Sequence, residues 1–392
     1  MDILFLSHCV PNPPDKGERI RAHHEIRHLA SRYRVHLAAF ARGREQLEAA
    51  REMAGGCASL YVEPLRPRVA LGAAAVRFAL GGSLTMSFYG SRRMRRHIGE
   101  LTRTVPLKAT VAYSTAMAQY APAGVPLLLD MVDVDSEKWF QYARLRRPSF
   151  PYALEGRRLR RHECRYAAQA RRTLLATEQE RALLASFAGA VSTGCVENGV
   201  DLARFDPAAV PALAELAGRR ILVFVGAMDY YPNRDAVIWF GDRVLPALRR
   251  RDPALEFFIV GSSPAADVVR LAAGDGIAVT GSVPDVRPYL AAAAAFVAPL
   301  RIARGIQNKV LEALAMGKPV LASGAVCDTF GAELPAGLTR CETEQDYHEA
   351  LGRLPAGHDP DRIREAARGR FSWEKNMSLL ASELAAVISG AR

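Results

Sequence analysis

The residues best suited to chemistry lie between positions 296 and 323, where basic side chains surround the start of a predicted helix. A strand-like run, FVAPL, leads into a loop that carries Arg301, Arg304 and Gly305, and the helical pattern begins at about Gln307. Ligands of open parallel sheets lie beyond the carboxyl ends of the strands. The start of a helix offers unpaired N–H groups and partial positive charge, which favour a phosphate. The stretch therefore predicts a phosphate-binding loop.

The first turns of that helix add two charged side chains of opposite sign. Lys309 supplies a point charge beside the planar forks of the arginines, and with the neighbouring Asn308 it completes a set suited to a diphosphate. Glu312 lies about one turn further on and can accept hydrogen bonds from two adjacent ribose hydroxyls. Alternatively, Lys309 and Glu312 form an ordinary surface pair worth roughly a few tenths of a kcal/mol. The coincidence of arginines, glycine and helix start favours the nucleotide site.

The composition is that of a globular protein with two to three domains. The chain has 392 residues, of which 49% are hydrophobic and 24% are charged. Its six cysteines form no CxxC pair, which argues against a zinc site or a disulfide framework and fits a reducing compartment. The opening residues do not resemble a signal peptide, and the longest apolar run, 69–84, is interrupted by Arg77. We therefore expect a cytoplasmic protein.

The first half of the chain predicts a parallel α/β domain. A strand-like run, ILFLSH, is followed by a Pro-rich loop, a helical pattern and a second strand-like run, VHLAAF. Further strands are predicted at 109–114 and 126–133, and a long helical pattern covers 151–187. Strand, loop, helix and strand in this order open a parallel α/β sheet.

A second α/β pattern begins at RRILVFVG (219–226) and alternates strands with helices as far as PVLAS (319–323). The spacings suit βαβ crossovers, so this half is also predicted to be doubly wound. The expected organisation is an N-terminal Rossmann-like domain at 1–197, a linker at 198–218, a C-terminal Rossmann-like domain at 219–371 and a helix at 372–392 that packs back on the N-terminal domain.

Four segments of the second half resemble the signature of GT-B fold glycosyltransferases of the large retaining family 4. They are NGVD at 198–201, GAMDYYPNRDAVIWF at 226–240, VTGSVPDVRPYLAAA at 279–293 and GIQNKVLEALAMGKPV at 305–320. The chain is most similar to sugar transferases of exopolysaccharide and exosortase loci. That closer resemblance also depends on NPPDKGERIR (12–21) and DMVDVDSEKW (130–139).

The resemblance implies a fold, an activity and a reaction. The fold class is α/β, GT-B, with two Rossmann-like doubly wound domains facing a central cleft. The activity is that of a hexosyltransferase-type glycosyltransferase (EC 2.4). It moves a sugar from a nucleotide-diphosphate sugar to a saccharide or lipid-linked acceptor in exopolysaccharide or cell-surface glycan synthesis. The resemblance further implies retention of anomeric configuration and no metal ion or other cofactor.

Individual roles follow for residues that match the family motif. Glu312 resembles the ribose-binding glutamate and Lys309 a phosphate ligand. Asn233 lies where the family approaches the diphosphate, and Val283 lies where the backbone meets the nucleobase. One departure concerns Arg304, which stands where many members carry a glutamate that contacts the donor sugar. This loop is therefore expected to clamp phosphate more strongly.

The N-terminal domain offers fewer matched positions. Gly17, in the loop after the first strand, resembles the glycine that lets this acceptor-side domain approach the donor, and Arg21 would lie nearby. For Arg21, an ordinary surface arginine is the preferred interpretation. For His8, which ends the first strand, we prefer a structural histidine with satisfied hydrogen bonds.

Asp133 and Asp135 form a DxD pair after a predicted strand. Metal-dependent sugar transferases use such a pair to hold the ion that neutralises the departing diphosphate. The arginine and lysine cluster can supply the same neutralisation, so a metal site is not expected. We expect Asp133 or Asp135 to orient the acceptor hydroxyl as catalytic residues. The alternative, that they cap the following helix together with Ser136, stays open.

The net charge of +11 is concentrated in arginine clusters such as RRMRR (92–96) and RRLRR (157–161). A basic face of this kind suits nucleic acid, an anionic membrane or phosphorylated substrates, or it is simply solvated. No aromatic-interleaved nucleic-acid module is recognisable, so no nucleic-acid partner is expected. The expected partners are a nucleotide-sugar donor and a saccharide or polyprenyl-diphosphate-linked acceptor. A peripheral position on anionic lipid at the inner face of the membrane is an open alternative.

Two other function classes stay in competition. A nucleotide-sugar epimerase shares the two-domain plan, but it would need extra acid and base carboxylates, and no clear set appears. A degenerate, non-catalytic membrane- or nucleic-acid-binding protein would have no need of a phosphate-loop helix. The intact segments NGVD and NKVLEALAMGKPV disfavour that interpretation.

Overall fold

The computed structural model describes residues 1–14, 17–357 and 359–390. Asp15 and Lys16 of the NPPDKGERIR motif lie outside the described residues. The chain divides into two compact units. The first contains Met1–Glu197 and Asn376–Arg392, and the second contains Asn198–Lys375. Residues 198–218, expected to form a linker, therefore cluster with the second unit.

A parallel sheet of seven strands organises the first unit. The strands are β1 (Asp2–Ser7), β2 (Arg34–Ala41), β3 (Ser59–Pro64), β4 (Ala109–Tyr113), β5 (Leu127–Val132), β6 (Arg172–Leu175) and β7 (Thr193–Cys195). Their order in the sheet is β3-β2-β1-β4-β5-β6-β7. The chain moves outward from β1 in one direction and from β4 in the other, so the topological switch point lies between these two strands.

The crossover segments of the first unit are mostly α-helical. They are α1 (Gly17–Ala30), α2 (Arg44–Met53), α3 (Pro67–Ala79), α4 (Leu84–Phe88), α5 (Arg92–Thr104), α6 (Asp135–Leu145), α7 (Phe150–Gln169) and α8 (Glu178–Ala188), with 3₁₀ turns at Ala54–Gly56 and Thr115–Tyr120.

The second unit repeats this plan with a parallel sheet of six strands. The strands are β8 (Arg220–Val225), β9 (Leu255–Val260), β10 (Ile277–Gly281), β11 (Ala295–Ala298), β12 (Val320–Ala322) and β13 (Leu338–Arg340). Their order is β10-β9-β8-β11-β12-β13, which places the switch point between β8 and β11. Each unit is thus doubly wound and Rossmann-like, as the sequence predicts.

The remaining helices belong to the second half of the chain. They are α9 (Tyr231–Trp239), α10 (Leu245–Arg249), α11 (Ala266–Leu271), α12 (Arg287–Ala292), α13 (Asn308–Ala315), α14 (Gly324–Cys327), α15 (Glu344–Gly357), α16 (Pro360–Phe371) and α17 (Trp373–Ser389), with a π-helical turn at Phe240–Val244 and 3₁₀ turns at Ala214–Leu216 and Asp328–Phe330. From Asn376 onward, α17 belongs to the first unit. Among the described residues, no helix combines the length and apolar character needed to cross a membrane.

The prediction of one long helical pattern at 151–187 is wrong. The segment contains α7, the strand β6 and α8. Thr173, Leu174 and Leu175 of β6 are fully buried between its neighbours β5 and β7. An apolar run this short has no periodicity of its own, so its leucines merge with the helical pattern on either side.

The central strands are buried on both sides, as expected when helices cover both faces of a parallel sheet. In the second unit, Phe224 of β8 and Phe296 of β11 stack with ring centroids 6.2 Å apart. Both rings are fully buried. This pair forms an apolar base beneath the switch point of the second sheet.

Candidate functional site

Two helices begin on the carboxyl side of the strands that flank the second unit's switch point. α9 follows β8 and brings Asn233 in its first turn, whereas α13 follows β11 and brings Asn308 and Lys309 at its start. The first N–H groups of a helix have no partner within the helix and carry partial positive charge. The topology therefore directs two helix starts and their polar side chains to the edge where open α/β sheets bind ligands.

Glycines end three adjacent strands at this edge. Gly226 follows β8, Gly261 follows β9 and Gly281 ends β10. A Cβ atom on Gly226 would lie 2.7 Å from Nδ2 of Asn233 and 2.9 Å from Nζ of Lys309. Gly261 has a φ of +143°, and a Cβ there would overlap the carbonyl oxygen of Gly226. The missing side chains leave a wall of bare backbone beside Asn233 and Lys309.

Lys309 and Asn233 are bonded directly to each other. Nζ of Lys309 donates to Oδ1 of Asn233 at 2.6 Å, and Nδ2 of Asn233 donates to the carbonyl oxygen of Ala227 at 2.9 Å. The ammonium also lies 4.4 Å from the ring centroid of Phe224. The amide of Asn233 is thereby fixed in orientation, and the lysine is held over the apolar base with one neutral hydrogen-bond partner.

Burial dominates the ionisation of the lysine and of Glu312. It lowers the pKa of Lys309 to about 7, with only the charge of Glu312 opposing the shift. It raises the pKa of Glu312 to about 7, against the opposing charges of Arg204 and Lys309. Near neutral pH both side chains are therefore poised between charged and neutral forms. An anion placed beside Lys309 would favour its protonated form.

Arg304 and Arg301 follow the strand β11, but their surroundings differ. Arg304 is half-buried, and its carbonyl oxygen accepts a hydrogen bond from Nε2 of Gln307 at 2.9 Å. Arg301 is exposed and forms a two-pronged ion pair with Asp235 of α9, with Nε donating to Oδ2 at 2.8 Å. It lines a surface cavity of about 820 Å³ together with Trp239. The predicted diphosphate role of these two arginines stays a prediction.

The NGVD segment precedes the second sheet in the chain and contacts the start of α13. Nδ2 of Asn198 donates to Oδ1 of Asn308 at 3.3 Å. Oδ1 of Asp201 accepts the backbone N–H of Arg204 at 2.9 Å and thereby fixes a turn. Arg204 is close enough to Glu312 to oppose the rise of its pKa. Sequence reasoning assigns no role to Asn198 or Arg204, although the matched NGVD motif is the signal that leads to both.

Val283, expected near the nucleobase, lies just beyond Gly281 at the end of β10. Its side chain is half-buried and packs against the core of the second unit. β10 is separated from β8 by β9, so this position is about 10 Å along the sheet edge from the strand that precedes Asn233.

At the corresponding edge of the first unit, Asp133 follows a distorted strand end. Val132 has a φ of +65°, which is a genuine outlier for a β-branched residue. The register between β5 and β6 also shifts between Asp130 and Val132. Backbone of this kind recurs at functional sites, where it re-aims the residues that follow. Asp135 is the first residue of α6.

Ser136 does not cap α6, whereas a capping role for Asp133 or Asp135 stays a prediction. The N-cap residue of α6 is Val134. Ser136 instead directs its N–H and hydroxyl to Glu163 of α7, with the N–H donating to Oε1 at 2.9 Å, and Oε2 of Glu180 accepts the N–H of Val134 at 2.8 Å. Two buried carboxylates from neighbouring helices thus satisfy the start of α6. Within the described ranges, no three His, Cys, Asp or Glu side chains gather into a metal-binding group.

The expectation that Arg21 is a surface arginine is wrong, because its side chain is 1% exposed. Nε and Nη2 donate to the two carboxylate oxygens of Asp130 at 2.7 and 3.1 Å, and Nη1 donates to the carbonyl oxygen of Val196 at 2.7 Å. Glu25, one turn along α1, completes the group at 2.9 Å. Gly17 is the first residue of α1, whereas the sequence predicts it in the preceding loop.

His8 lies just beyond β1, between two tyrosine rings. It stacks on Tyr113 with centroids 5.3 Å apart and meets Tyr89 edge-on at 5.9 Å. Nε2 faces Oε2 of Glu18 at 3.7 Å. Burial alone would lower the pKa of His8, but Cys9, Glu18 and Tyr89 outweigh it and raise this pKa well above its usual value. Hydrogen bonding to His8 in turn lowers the pKa of Glu18 to about 2.

Part of the second unit matches a known protein family. Residues 219–354, about a third of the chain, match the family described as Glycosyl transferases group 1. This span begins at the first strand of the second sheet and includes Asn233, Lys309 and Glu312. A search of the curated proteins found no match.

Three solved structures show the same fold over almost the entire chain. Sucrose-phosphate synthase from Thermosynechococcus elongatus has a TM-score of 0.71 and 16% identity and covers all of both chains. HepE from Anabaena, in complex with UDP and glucose, has a TM-score of 0.68 and 15% identity over 98% of this chain and 100% of that one. A glycosyltransferase from Rickettsia africae has a TM-score of 0.63 and 10% identity over 100% and 99%. These similarities confirm the predicted GT-B fold class with its two Rossmann-like domains.

Proposed function

We propose that this protein is a glycosyltransferase that takes its sugar from a nucleotide-diphosphate sugar bound to the second unit. The observation that carries the proposal is the bonded pair of Lys309 and Asn233 at the switch point, with Glu312 one turn further along the same helix. The match of 219–354 to Glycosyl transferases group 1 supports the proposal. A further support is the similarly folded HepE, which has been determined with UDP-glucose.

The chemistry of the donor site follows from these side chains. The diphosphate would accept hydrogen bonds from the ammonium of Lys309 and from the start of α13, and the two ribose hydroxyls would donate to Glu312. When the sugar departs, negative charge grows on the diphosphate, and a protonated Lys309 in a dry site stabilises it. The transfer is therefore proposed to need no metal ion or other cofactor. We propose that the diphosphate site also includes Arg301, Arg304 and Asn308. Val283 is proposed to adjoin the nucleobase.

We further propose that the acceptor binds on the first unit, where Asp133 or Asp135 orients the attacking hydroxyl. The positive φ of Val132 immediately before them supports this assignment. The acceptor class is a saccharide or a polyprenyl-diphosphate-linked sugar in exopolysaccharide or cell-surface glycan synthesis, with retention of configuration. These finer assignments, and membership of family 4, depend on the sequence motifs.

The decisive experiment is thermal stabilisation by UDP, GDP, ADP and their sugars in the absence of added metal. A ligand that binds the folded state stabilises it by about 2.7 kcal/mol at a hundredfold excess over Kd. We expect a clear shift with one nucleotide that is lost in Lys309→Met and reduced in Glu312→Gln. Lys318→Met is the matched control, because that lysine also lies on the second unit and donates to a backbone carbonyl, that of Ala291.

The outcomes separate the competing functions. Stabilisation by no nucleotide in a folded sample would contradict the donor site and favour a non-catalytic protein. Conversion of one sugar nucleotide into its epimer, without an acceptor, would indicate the epimerase. Transfer of sugar to an acceptor, lost in Asp133→Asn or Asp135→Asn while nucleotide binding is retained, would support the complete proposal.

A further inference from the structure

The helix α3 exposes apolar side chains almost all the way round. Its sequence is PRVALGAAAVRFA, and Ala74 is its buried residue. The side chains of Val69, Leu71 and Val76 are 66%, 53% and 63% exposed, and Leu80, just after the helix, is 82% exposed. A helix that is apolar on all sides is normally buried in a core or in lipid. Contiguous exposed apolar surface of this kind marks an interaction site.

The helix is held firmly in this exposed position. α3 packs mainly against α4, and the turn between them is fixed by α7. The buried carboxylate of Glu155 accepts the N–H groups of Leu84 and Thr85 at 2.6 and 2.9 Å. Arg158 donates to the carbonyl oxygen of Gly82 at 2.9 Å and places its guanidinium 4.5 Å from the ring centroid of Phe78. The exposed apolar face is therefore a built feature of the first unit.

The segment that contains this helix is rich in positive charge. Residues 66–104, which include α3 and α5, contain eight arginines and one acidic residue. Arg77 of α3 reaches Gly90, directly before α5, since a Cβ on that glycine would lie 2.7 Å from Nη1. On α5, Arg92, Arg93, Arg95 and Arg96 are all exposed. Within the part of the chain that the structure describes, none of these four forms an ion pair with a carboxylate.

We propose that α3 and α5 form a docking surface for an anionic lipid bilayer. The apolar side chains of α3 enter the boundary between headgroups and acyl chains, and the arginines contact lipid phosphates. With 13 residues, α3 is about 20 Å long, which is too short to cross the hydrocarbon core, so it lies in the plane of the interface. This inference does not depend on sugar transfer, because it rests on a surface that contains no residue of the donor site.

The positive charge of the surface favours an anionic bilayer, rather than a second copy of this chain, as its binding partner. A symmetric dimer through α3 would bring two sets of unpaired arginines together, and like charges facing each other across an interface disfavour association. Lipid headgroups of anionic phospholipids supply the opposite charge over the whole area.

The test is flotation of the full-length protein with vesicles of phosphatidylcholine alone and of phosphatidylcholine mixed with phosphatidylglycerol, at physiological salt. We expect binding to the mixed vesicles. Val69→Glu/Val76→Glu should weaken it at least tenfold. Arg92→Glu/Arg96→Glu should weaken it by about 25-fold or more, since each juxtamembrane arginine contributes about fivefold. The controls are Val269→Glu, which is 50% exposed, and Arg250→Glu/Arg251→Glu, all on the second unit.

Every outcome bears on the proposal. Wild-type protein that ignores the mixed vesicles, or variants of α3 and α5 that bind as well as the controls, would overturn it. A dimer in light scattering that Val69→Glu/Val76→Glu dissociates would also overturn it, because the surface would then pair two copies. Thermal stabilisation by nucleotide is measured on the same samples, so a misfolded variant is recognised, and failure of the donor site is distinguished from failure of lipid binding.

Discussion

The first six strands of the first sheet follow the same order as the six of the second, yet the edges at the two switch points are built differently. In the second unit, Gly226 and Gly261 remove side chains from the edge, and Lys309 is left with a neutral amide as its hydrogen-bond partner. In the first unit, buried charged and aromatic side chains lie at the corresponding edge. Arg21 and Asp130 form a buried ion pair behind it, and rings such as Tyr113 occupy the end of β4.

The two edges differ in the partners of their buried ionisable side chains. Burial and the nearby Asp130 raise the pKa of Glu25 well above its usual value, while Arg21 opposes them. The guanidinium of Arg21 is bonded to the carboxylate of Asp130 and lies 2.9 Å from Glu25. Burial instead lowers the pKa of Lys309, and among the described residues its hydrogen-bond partner is the neutral amide of Asn233. In the first arrangement Arg21 is paired with carboxylates of the protein, and we expect an anionic ligand to complete the second.

The largest effect is expected from Arg21→Met. Removal of one partner of a buried ion pair leaves an uncompensated carboxylate at Asp130 and should lower the free energy of unfolding of the first unit by about 3–5 kcal/mol. Arg27→Met, on the exposed side of the same helix, is the matched control and should change it by no more than about 0.5 kcal/mol. Chemical denaturation followed by circular dichroism measures both. Equal stability of the two variants would mean that the buried group is not a structural requirement.

The same contrast explains which site residues are predictable from sequence. Lys309 and Glu312 lie in one contiguous stretch with two arginines, Gly305 and a helix start, and this coincidence predicts a nucleotide site. Arg21 meets Asp130 across 109 positions of the chain, and an arginine in a polar helix gives no sign that it is buried. Arg204 escapes prediction for a similar reason, since it comes from a separate segment, more than 100 residues before Glu312.

The fold is predictable for a related reason. Alternating apolar runs and helical patterns identify βαβ crossovers, and these define both sheets. The exceptions are β3, β6, β7 and β13, where the sequence analysis predicts no strand. The four residues of β6, at 172–175, lie between two helices and carry too little pattern to be separated from them. The bare backbone wall is not predictable, because glycines at 226, 261 and 281 become neighbours only when the strands pair.

A glycine substitution tests whether the second unit needs that bare wall. In Gly261→Ala, the new Cβ would overlap the carbonyl oxygen of Gly226 at a φ of +143°, and we expect a loss of about 3 kcal/mol from strain and overpacking. Gly124→Ala in the first unit has a φ of +81° but open space around it, so about 1–2 kcal/mol is expected. Thermal denaturation with and without nucleotide compares them. A smaller loss at 261 than at 124 would contradict close packing of the wall.

The smallest effect, and the sharpest test of the ionisable pair, is the pH dependence of donor binding. The complex needs protonated Lys309 to contact the diphosphate and ionised Glu312 to accept from the ribose. Because both have a pKa of about 7 in the free protein, affinity should fall above pH 7 as the lysine loses its proton and below pH 7 as the glutamate gains one. The decline approaches a limit of about tenfold per pH unit on each side.

Calorimetric titration with the nucleotide sugar, whose diphosphate linkage does not titrate in this range, measures the profile between mildly acidic and mildly basic pH. Glu312→Gln should weaken binding and remove the acidic limb, because the amide does not ionise. Lys309→Arg should remove the basic limb, because a guanidinium stays charged. An affinity that does not change across neutrality in the wild-type protein would show that the pair is not poised. In that case the protonation states of Lys309 and Glu312 would be constant across neutral pH, and the proposed contrast with the first unit would be lost.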